Sequence, residues 1–177
     1  MSYDPQRHRR RSIRLKGHDY SQAGAYFVTI CTRDRDTFFG DIARGTVHPE
    51  VVLNKCGLVV SECWTWLADQ YPYIELDEWI VMPNHLHGII VLSVPNCRGD
   101  SRIAPTHIKP LGRLIGAFKT VSTKRVNQLR GLPGLPIWQR NYYEHIVRDE
   151  ADIGRIREYI VANPFNWDSD EENPANL

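Results

Sequence analysis

The sequence predicts an α+β fold in which an antiparallel sheet packs against helices within one domain. Three observations predict it. Runs of β-branched and aromatic residues alternate with two amphipathic stretches, at residues 54–70 and 111–129. A third helical stretch, at residues 150–163, follows the last extended run. The chain has 177 residues and is 42% hydrophobic, which favours one domain with a core of its own.

The first half of the chain supplies a strand, a helix and a second strand. Residues 26–32 are β-branched and aromatic and predict the first strand. Residues 37–49 fit either a short strand or a loop. Apolar residues recur at helical spacing over residues 54–70, and residues 74–82 predict the next strand, which ends before Pro83.

The second half begins with another strand. Residues 85–94 form an apolar run that predicts it, and residues 95–110 are rich in turn formers and predict a loop. Residues 111–129 carry an apolar face and several cations, as an amphipathic helix does. The repeated Gly-Leu-Pro of residues 131–136 ends this helix.

The last predicted elements complete a known order of strands and helices along the chain. Residues 137–147 are aromatic and extended, and Asp149 is a candidate N-cap for a helix that runs to residue 163 and is closed by Pro164. The resulting order is β-α-β-β-α-β with an added C-terminal helix. This order is typical of a ferredoxin-like antiparallel sheet with helices on one face.

Charge is distributed unevenly along the chain, although the net charge is only +1. No Asp or Glu occurs in residues 101–143, and the following cations do: Arg102, Lys109, Arg113, Lys119, Lys124, Arg125, Arg130 and Arg140. An N-terminal arm, residues 1–16, contains Arg7, Arg9, Arg10, Arg11, Arg14 and Lys16. Such a polarised surface suits a nucleic-acid backbone. The alternative is a solvated helix face whose ionic partners lie elsewhere in the fold.

The acidic residues cluster at the other end of the chain. We expect residues 17–166 to form the single domain and residues 167–177, which include Asp168, Asp170, Glu171 and Glu172, to form an acidic and solvated tail. A tail that shields the basic groove is the other interpretation.

Several classes of protein are disfavoured. No apolar run approaches the roughly 20 residues that span a bilayer, so we expect no membrane partner. The basic N-terminus is not followed by an apolar segment, so no secretory signal is expected. The four cysteines lack CxxC spacing and fit free thiols in a reducing cytoplasm.

Two histidines separated by one residue are the strongest chemical signal. His85 and His87 lie in a predicted strand, where residues two apart point to the same face, and Leu86 between them points to the opposite face. Two imidazoles on one face can share a divalent metal ion. The alternative is a pair of structural histidines.

The last predicted helix adds a second signal. Tyr159 and Asn163 are four residues apart, so they project from neighbouring turns on one side of it. A Tyr hydroxyl can act as a nucleophile and an amide oxygen can bind a metal ion. Packing is the ordinary role of a helical Tyr.

Together these segments resemble a known family. His85-Leu86-His87 after Met82-Pro83-Asn84, followed by Tyr159 to Pro164, resembles the single-tyrosine HUH transposases of the IS200/IS605 type. More narrowly, the chain resembles the REP-associated tyrosine transposases. Residues 25–30 and 138–148 are also similar to that branch, so the resemblance extends from about Arg14 to Pro164.

The resemblance implies a mechanism and its residues. His85 and His87 match the HUH pair and would hold Mg²⁺ or Mn²⁺. Tyr159 matches the nucleophile, which attacks single-stranded DNA to leave a 5′-phosphotyrosine link and a free 3′-OH. Asn163 stands where relatives of the insertion-sequence type carry a metal-binding Gln, and its side chain is one methylene shorter.

The resemblance also indicates partners. We expect single-stranded or hairpin DNA, similar to a REP hairpin, to be bound by the basic residues, of which we select Arg9, Arg10, Arg11, Arg14, Arg113, Lys119, Lys124, Arg125 and Arg140. Relatives act either as monomers or as homodimers. Two alternatives stay open: a hairpin-binding module with weak or absent cleavage, and a metal-dependent hydrolase of a small substrate.

Overall fold

Four strands pair side by side in one antiparallel sheet. They are β1 (Gly24–Cys31), β4 (Ile74–Val81), β5 (His85–Leu92) and β6 (Tyr143–Ile146). Their order across the sheet is β4-β5-β1-β6. These elements come from a computed structural model that describes residues 15, 17–43, 49–93 and 108–176.

A separate hairpin precedes the first helix. It consists of β2 (Gly40–Ala43) and β3 (Glu50–Leu53), which pair antiparallel. Within the described part of the chain, this hairpin begins in the region that the sequence predicted to be either a short strand or a loop.

The described residues form three α-helices, and a residue that caps one end can be named for each. Helix α1 (Lys55–Gln70) begins after Asn54, whose side chain accepts hydrogen bonds from the backbone amides of residues 56 and 57. Helix α2 (Leu111–Arg130) ends at Gly131, which has a φ of 66° in the left-handed region that glycine adopts without strain. Helix α3 (Glu150–Asn166) begins after Asp149.

The helices cover both faces of the sheet. On one face, Leu86 and Ile90 of β5 belong to the main core with Trp64 of α1 and Phe118 of α2. On the opposite face, Ile89 packs with Phe27 and Ile160 in a smaller cluster beneath α3. The alternation along β5 therefore sends His85 and His87 to the α3 face.

The α+β class, the four-stranded antiparallel sheet and the C-terminal helix are confirmed. Two boundaries are wrong. The last extended run pairs as a strand only over Tyr143–Ile146, because the preceding residues form a loop whose isolated bridge, Thr32 to Trp138, lies just beyond the end of β1. Helix α3 continues past Pro164 to Asn166, so this proline lies within the last turn of the helix and does not end it.

The C-terminal segment is ordered and partly buried, which the expectation of a solvated tail did not include. Residues 167–176 contain two short 3-10 helices, and Trp167 and Asn173 are buried. Side-chain amides hold this segment: Asn173 donates to the carbonyl of Trp167, and Asn176 donates to the carbonyls of Asp168 and Asp170. We call residues 167–176 the C-terminal strap.

Other expectations fall partly outside the described residues. The basic arm, except for Leu15, lies outside the described residues, and Cys97 lies outside them as well. Cys31, Cys56 and Cys63 are free thiols, as expected. None of the described helices is long and apolar enough to cross a bilayer.

Gly88 provides a test of how closely α1 packs on the sheet. A Cβ at this position would lie 2.6 Å from Cζ2 of Trp64 and 3.1 Å from Cβ of Trp79. We expect Gly88→Ala to lower the free energy of unfolding by about 1–3 kcal/mol, because a packed core does not accept added volume. Urea denaturation measures the change.

The matched control is Gly116→Ala, in the interior of α2, where an added Cβ meets nothing within 4 Å. This variant is expected to gain about 0.5–1 kcal/mol from its higher helix propensity. Equal stability of the two variants would contradict the packing described.

Candidate active site

The two histidines lie side by side on the central part of the sheet. His85 pairs with Cys31 and His87 with Thr29 in the β1–β5 register. Both side chains are buried, at 0% and 1% exposure, and their ring centroids are 4.4 Å apart. The strand geometry has therefore brought two imidazoles together on one face.

The protonation of His85 is determined by its neighbour Asn84. The Asn84 amide nitrogen donates to the carbonyl oxygens of Arg35 (3.0 Å) and Glu172 (2.7 Å). These two acceptors orient the amide so that its oxygen accepts from Nδ1 of His85 at 2.9 Å. The proton is consequently on Nδ1. Nε2 keeps its lone pair, is buried and has no hydrogen-bond partner among the described residues.

His87 is oriented in a similar way. Its Nδ1 lies 2.9 Å from the hydroxyl of Thr29 on the neighbouring strand. Its Nε2 faces α3, at 3.4 Å from the hydroxyl of Tyr159 and 3.3 Å from the amide nitrogen of Asn163. Both rings thus have one nitrogen anchored and one available, which is the usual arrangement of metal-binding histidines.

Burial keeps both rings neutral. Loss of solvation lowers the pKa of His85 well below its usual value, and the nearby Asp170 opposes this only in part. Burial lowers the pKa of His87 further, and the adjacent His85 adds to the effect. Neutral imidazoles are the form that binds a metal ion.

Helix α3 carries Tyr159 over the pair. Ile160, fully buried, packs the helix onto the sheet, and Arg157 forms a two-point ion pair with Asp77 of β4 at 2.8 and 2.6 Å. The Tyr159 ring is 47% exposed, and its edge contacts the ring of Phe27. The nucleophile candidate is therefore held in place and still open to solvent.

The hydroxyl of Tyr159 keeps its proton at neutral pH in this arrangement. Burial raises its pKa to about 12, and the negative charges of Asp170, Glu172 and Glu171 contribute to the increase. All three acids belong to the C-terminal strap. With Ser169, they line a pocket of about 630 Å³ that also contains Tyr143, Tyr159 and His87.

Asp170 is the site residue that sequence reasoning missed. Its carboxylate accepts from the amide nitrogen of Asn163 at 2.9 Å. Ligand atoms of His85, His87 and Asp170 all lie within 4.8 Å of one another. Its position in a segment expected to be solvated gave no signal of this role.

The donor set fits a divalent cation. Two neutral imidazole nitrogens and a carboxylate oxygen are common protein ligands for divalent metal ions, and here they lie close enough together to be candidates for one site. The buried oxygen of Asn163 has no hydrogen-bond partner within the described part of the chain. Unpaired acceptors beside a carboxylate are favourable for a cation and costly without one.

The cations selected from the sequence have different environments. Arg9, Arg10, Arg11 and Arg14 lie outside the described residues. Arg113, Lys124 and Arg140 are exposed, whereas Arg125 forms an ion pair with Glu62. Lys119 donates to the carbonyls of Gln139 and Asn141, both at 2.9 Å, and burial lowers its pKa to about 8. The cations of α2 lie across the sheet from the His pair.

His145 lies apart from the metal-binding candidates. Its Nε2 is 2.8 Å from the carboxylate of Asp152, which also accepts from the backbone amide of Arg148. This arrangement fits a structural role at the start of α3.

Known proteins resemble this chain along most of its length. A Haemophilus influenzae protein of uncharacterised function is 36% identical over 173 residues, covering 93% of each chain. A second protein of the same organism, named as a candidate REP-associated tyrosine transposase, is 24% identical over 147 residues, covering 82% of this chain and 73% of its own length. The chain is a homologue of the REP-associated tyrosine transposases.

A solved structure shows the same fold for this family. It is that of a REP-associated tyrosine transposase bound to a REP hairpin, and it matches with a TM-score of 0.57 at 21% identity. The match covers 87% of this chain and 74% of that one. No family model matches the chain.

The buried histidines of this REP-associated tyrosine transposase homologue make its stability sensitive to pH. Below pH 6.5, the unfolded chain protonates His85 and His87, whereas the folded chain does not, since burial lowers both pKa values. The unfolded state then binds more protons, so the free energy of unfolding decreases as the pH falls. Urea denaturation with chelator present, at pH 7.5 and 5.0, measures this decrease.

His85→Gln serves as the comparison, because it removes one of the two titrating groups. A smaller decrease is expected for this variant. A wild-type free energy of unfolding that stays constant between the two pH values would contradict the neutral state of the pair.

Proposed function

We propose that this protein is a metal-dependent single-stranded DNA endonuclease and strand transferase with Tyr159 as its nucleophile. One observation carries the proposal: the Tyr159 hydroxyl lies 3.4 Å from Nε2 of His87, above a buried pair of neutral imidazoles. A nucleophile beside a cation site is the arrangement that attack on a phosphodiester requires.

The reaction balances without an energy source such as ATP, because the phosphotyrosine link conserves the energy of the broken bond. The Tyr159 oxygen forms a bond to phosphorus while the bond from phosphorus to the 3′-oxygen breaks. The phenolic proton is lost and the leaving 3′-oxygen gains one. The products are a 5′-phosphotyrosine link and a free 3′-OH, and attack by another 3′-OH on the link would rejoin strands.

A divalent ion, Mg²⁺ or Mn²⁺, would be held by His85, His87 and Asp170, with Asn163 as an additional or alternative ligand. When bound, it would supply positive charge beside the phosphate oxygens, where negative charge accumulates in the transition state. Asn84 and Thr29 keep the two imidazoles oriented for this role.

The negative charges of the C-terminal strap affect both Tyr159 and the approach of its substrate. Asp170, Glu171 and Glu172 raise the pKa of Tyr159, and their charge also opposes the approach of a phosphate. A cation shared by Asp170 and the His pair would offset both effects. Activity should therefore depend steeply on the divalent ion.

The proposed substrate is hairpin DNA with single-stranded flanks, similar to a REP hairpin. The homologous structure contains a transposase bound to a REP hairpin, and the acid-free region of residues 101–143 suits a phosphate backbone. We further propose that residues 17–166, together with the C-terminal strap that carries Asp170, form the catalytic unit and that residues 1–16 form a DNA-binding arm. The strand order β4-β5-β1-β6 supports a ferredoxin-like sheet.

A hairpin-binding module with little cleavage is the second candidate. The observation that favours it is the pKa of Tyr159, raised to about 12, which leaves almost no phenolate at neutral pH. The following experiment separates the two candidates.

We expect the protein to form a covalent adduct with labelled hairpin DNA in Mn²⁺, visible as a slower band on a denaturing gel. Tyr159→Phe should form none, because the attacking oxygen is missing. Tyr143→Phe is the matched control, since Tyr143 lines the same pocket and its ring also contacts Phe27. Salt-sensitive binding of the hairpin with no adduct for the wild type would favour the binding module.

His87→Ala tests the metal-holding role. It should abolish adduct formation while the dissociation constant for hairpin DNA changes by less than about threefold, because phosphate contacts dominate affinity. Gel assays and fluorescence anisotropy measure the two quantities. Equal loss of both in a folded variant would count against this role.

The third ligand can be assigned by Mn²⁺ titration calorimetry. Asp170→Asn should weaken Mn²⁺ binding by about tenfold or more, since it removes a charged ligand. Glu171→Gln is the control with the same change of charge in the same segment. If Asn163→Ala alone weakens binding and Asp170→Asn does not, the amide is the third ligand instead.

A further inference from the structure

A large groove lies between the second half of α2 and the loop that follows it. We call it the α2 groove; its volume is about 850 Å³, and its lining includes Lys124, Asn127, Leu135, Pro136, Trp138 and Arg140. It is separate from the pocket that contains His87 and Tyr159.

The chemistry of the α2 groove combines an apolar surface with positive charge. Leu135 is 47% exposed, and the adjacent Pro136 is exposed as well. Lys124 and Arg140 line the same groove and are exposed, while no acidic residue lines it among those that the structure describes. A ligand with a flat, weakly polar ring and an attached negative charge matches these features.

The groove also has a buried polar group. The Asn127 side chain donates from its amide nitrogen to the carbonyl of Leu135 at 2.7 Å, which anchors the loop to α2. The amide oxygen is buried and has no hydrogen-bond partner among the residues described. An N–H group on a ligand would satisfy it with a small opening of the loop.

A short segment joins the groove to the candidate active site. Gln139 donates its backbone N–H to the carbonyl of Cys31, and Tyr143 pairs with Thr29 of β1. Arg140 lines the groove and Tyr143, three residues later, lines the pocket of Tyr159. Residues three apart in the chain are at most about 10 Å apart, and β6 is the edge strand of the described sheet, so one DNA strand that passes this edge can reach both places.

Lys119 fixes the course of this segment. Its ammonium group donates to the carbonyls of Gln139 and Asn141 and lies 5.5 Å from the ring centre of Tyr142. Its donors are therefore used within the protein. In this arrangement Lys119 positions Arg140 and Tyr143 rather than contacting a phosphate itself.

We propose that the α2 groove binds an unpaired nucleotide of the same DNA strand whose phosphodiester lies at Tyr159. The base packs on Leu135 and Pro136, and the flanking phosphates lie near Lys124 and Arg140. The inference rests on the proposed function, because that function identifies the bound strand as DNA. Binding of unpaired bases on apolar surfaces within positively charged grooves is common to single-strand-binding proteins.

The test compares two oligonucleotides and two matched variants. Fluorescence anisotropy measures the dissociation constants of labelled dT12 and of an abasic 12-mer, which has the same phosphates without bases. Leu135→Glu places a negative charge in the groove. Leu132→Glu is the control, because Leu132 is in the same loop, is 43% exposed and does not line the groove.

The wild type should bind dT12 at least about fivefold more tightly than the abasic 12-mer. Leu135→Glu should weaken dT12 binding by about tenfold or more, and Leu132→Glu by less than about threefold. Equal effects of the two variants, or equal affinity of the wild type for the two oligonucleotides, would overturn the inference.

Photocrosslinking of the wild-type protein gives a second measurement that does not depend on the folding of a variant. An oligonucleotide containing 5-iododeoxyuridine should crosslink within residues 119–140, and crosslinks confined to other peptides would overturn the inference. Adduct formation by Tyr159 is scored separately. An adduct without groove crosslinks would contradict nucleotide binding in the α2 groove but not the proposed nuclease activity. Groove crosslinks without an adduct would contradict the nuclease activity but not binding in the groove.

Discussion

The side-chain amide of Asn84 is the constraint on which the candidate site depends. It connects three parts of the chain, since it donates to the carbonyls of Arg35 and Glu172 and accepts from Nδ1 of His85. Arg35 and the preceding Asp34 have φ values of 57° and 58°, a left-handed conformation that costs non-glycine residues of order 1–3 kcal/mol. The strained turn thus supplies one of the two acceptors that orient the amide.

The same network connects the C-terminal strap to the metal-binding candidates. Arg35 forms an ion pair with Glu172 and donates to the carbonyl of Glu171, which holds the strap beside the sheet. Asp170 is thereby kept close to both histidines. The orientation of His85, the placement of the Asp170 carboxylate and the negative charges near Tyr159 therefore share one structural origin.

Periodicity was sufficient to predict most of the fold and half of the site. A period of two predicts that His85 and His87 share one face, and a spacing of four predicts that Tyr159 and Asn163 project from one side of a helix. Only the family resemblance implies that this helix faces the histidines. The strap was missed because its order comes from side-chain amides bonded to nearby carbonyls, which leave no periodic pattern. The sequence leaves open whether Lys119 and Arg125 have partners within the fold, because these partners, two carbonyls and Glu62, are close only in the folded chain.

The most direct test of the central claim needs no substitution. Cleavage after Arg157 by trypsin releases residues 158–177, in which Tyr159 is the only tyrosine. After incubation with hairpin DNA and Mn²⁺, followed by nuclease and trypsin digestion, mass spectrometry should find this peptide heavier by a 5′-linked nucleotide. A nucleotide on another peptide, or an unmodified peptide when the DNA has been cleaved, would contradict the assignment of Tyr159 as the nucleophile.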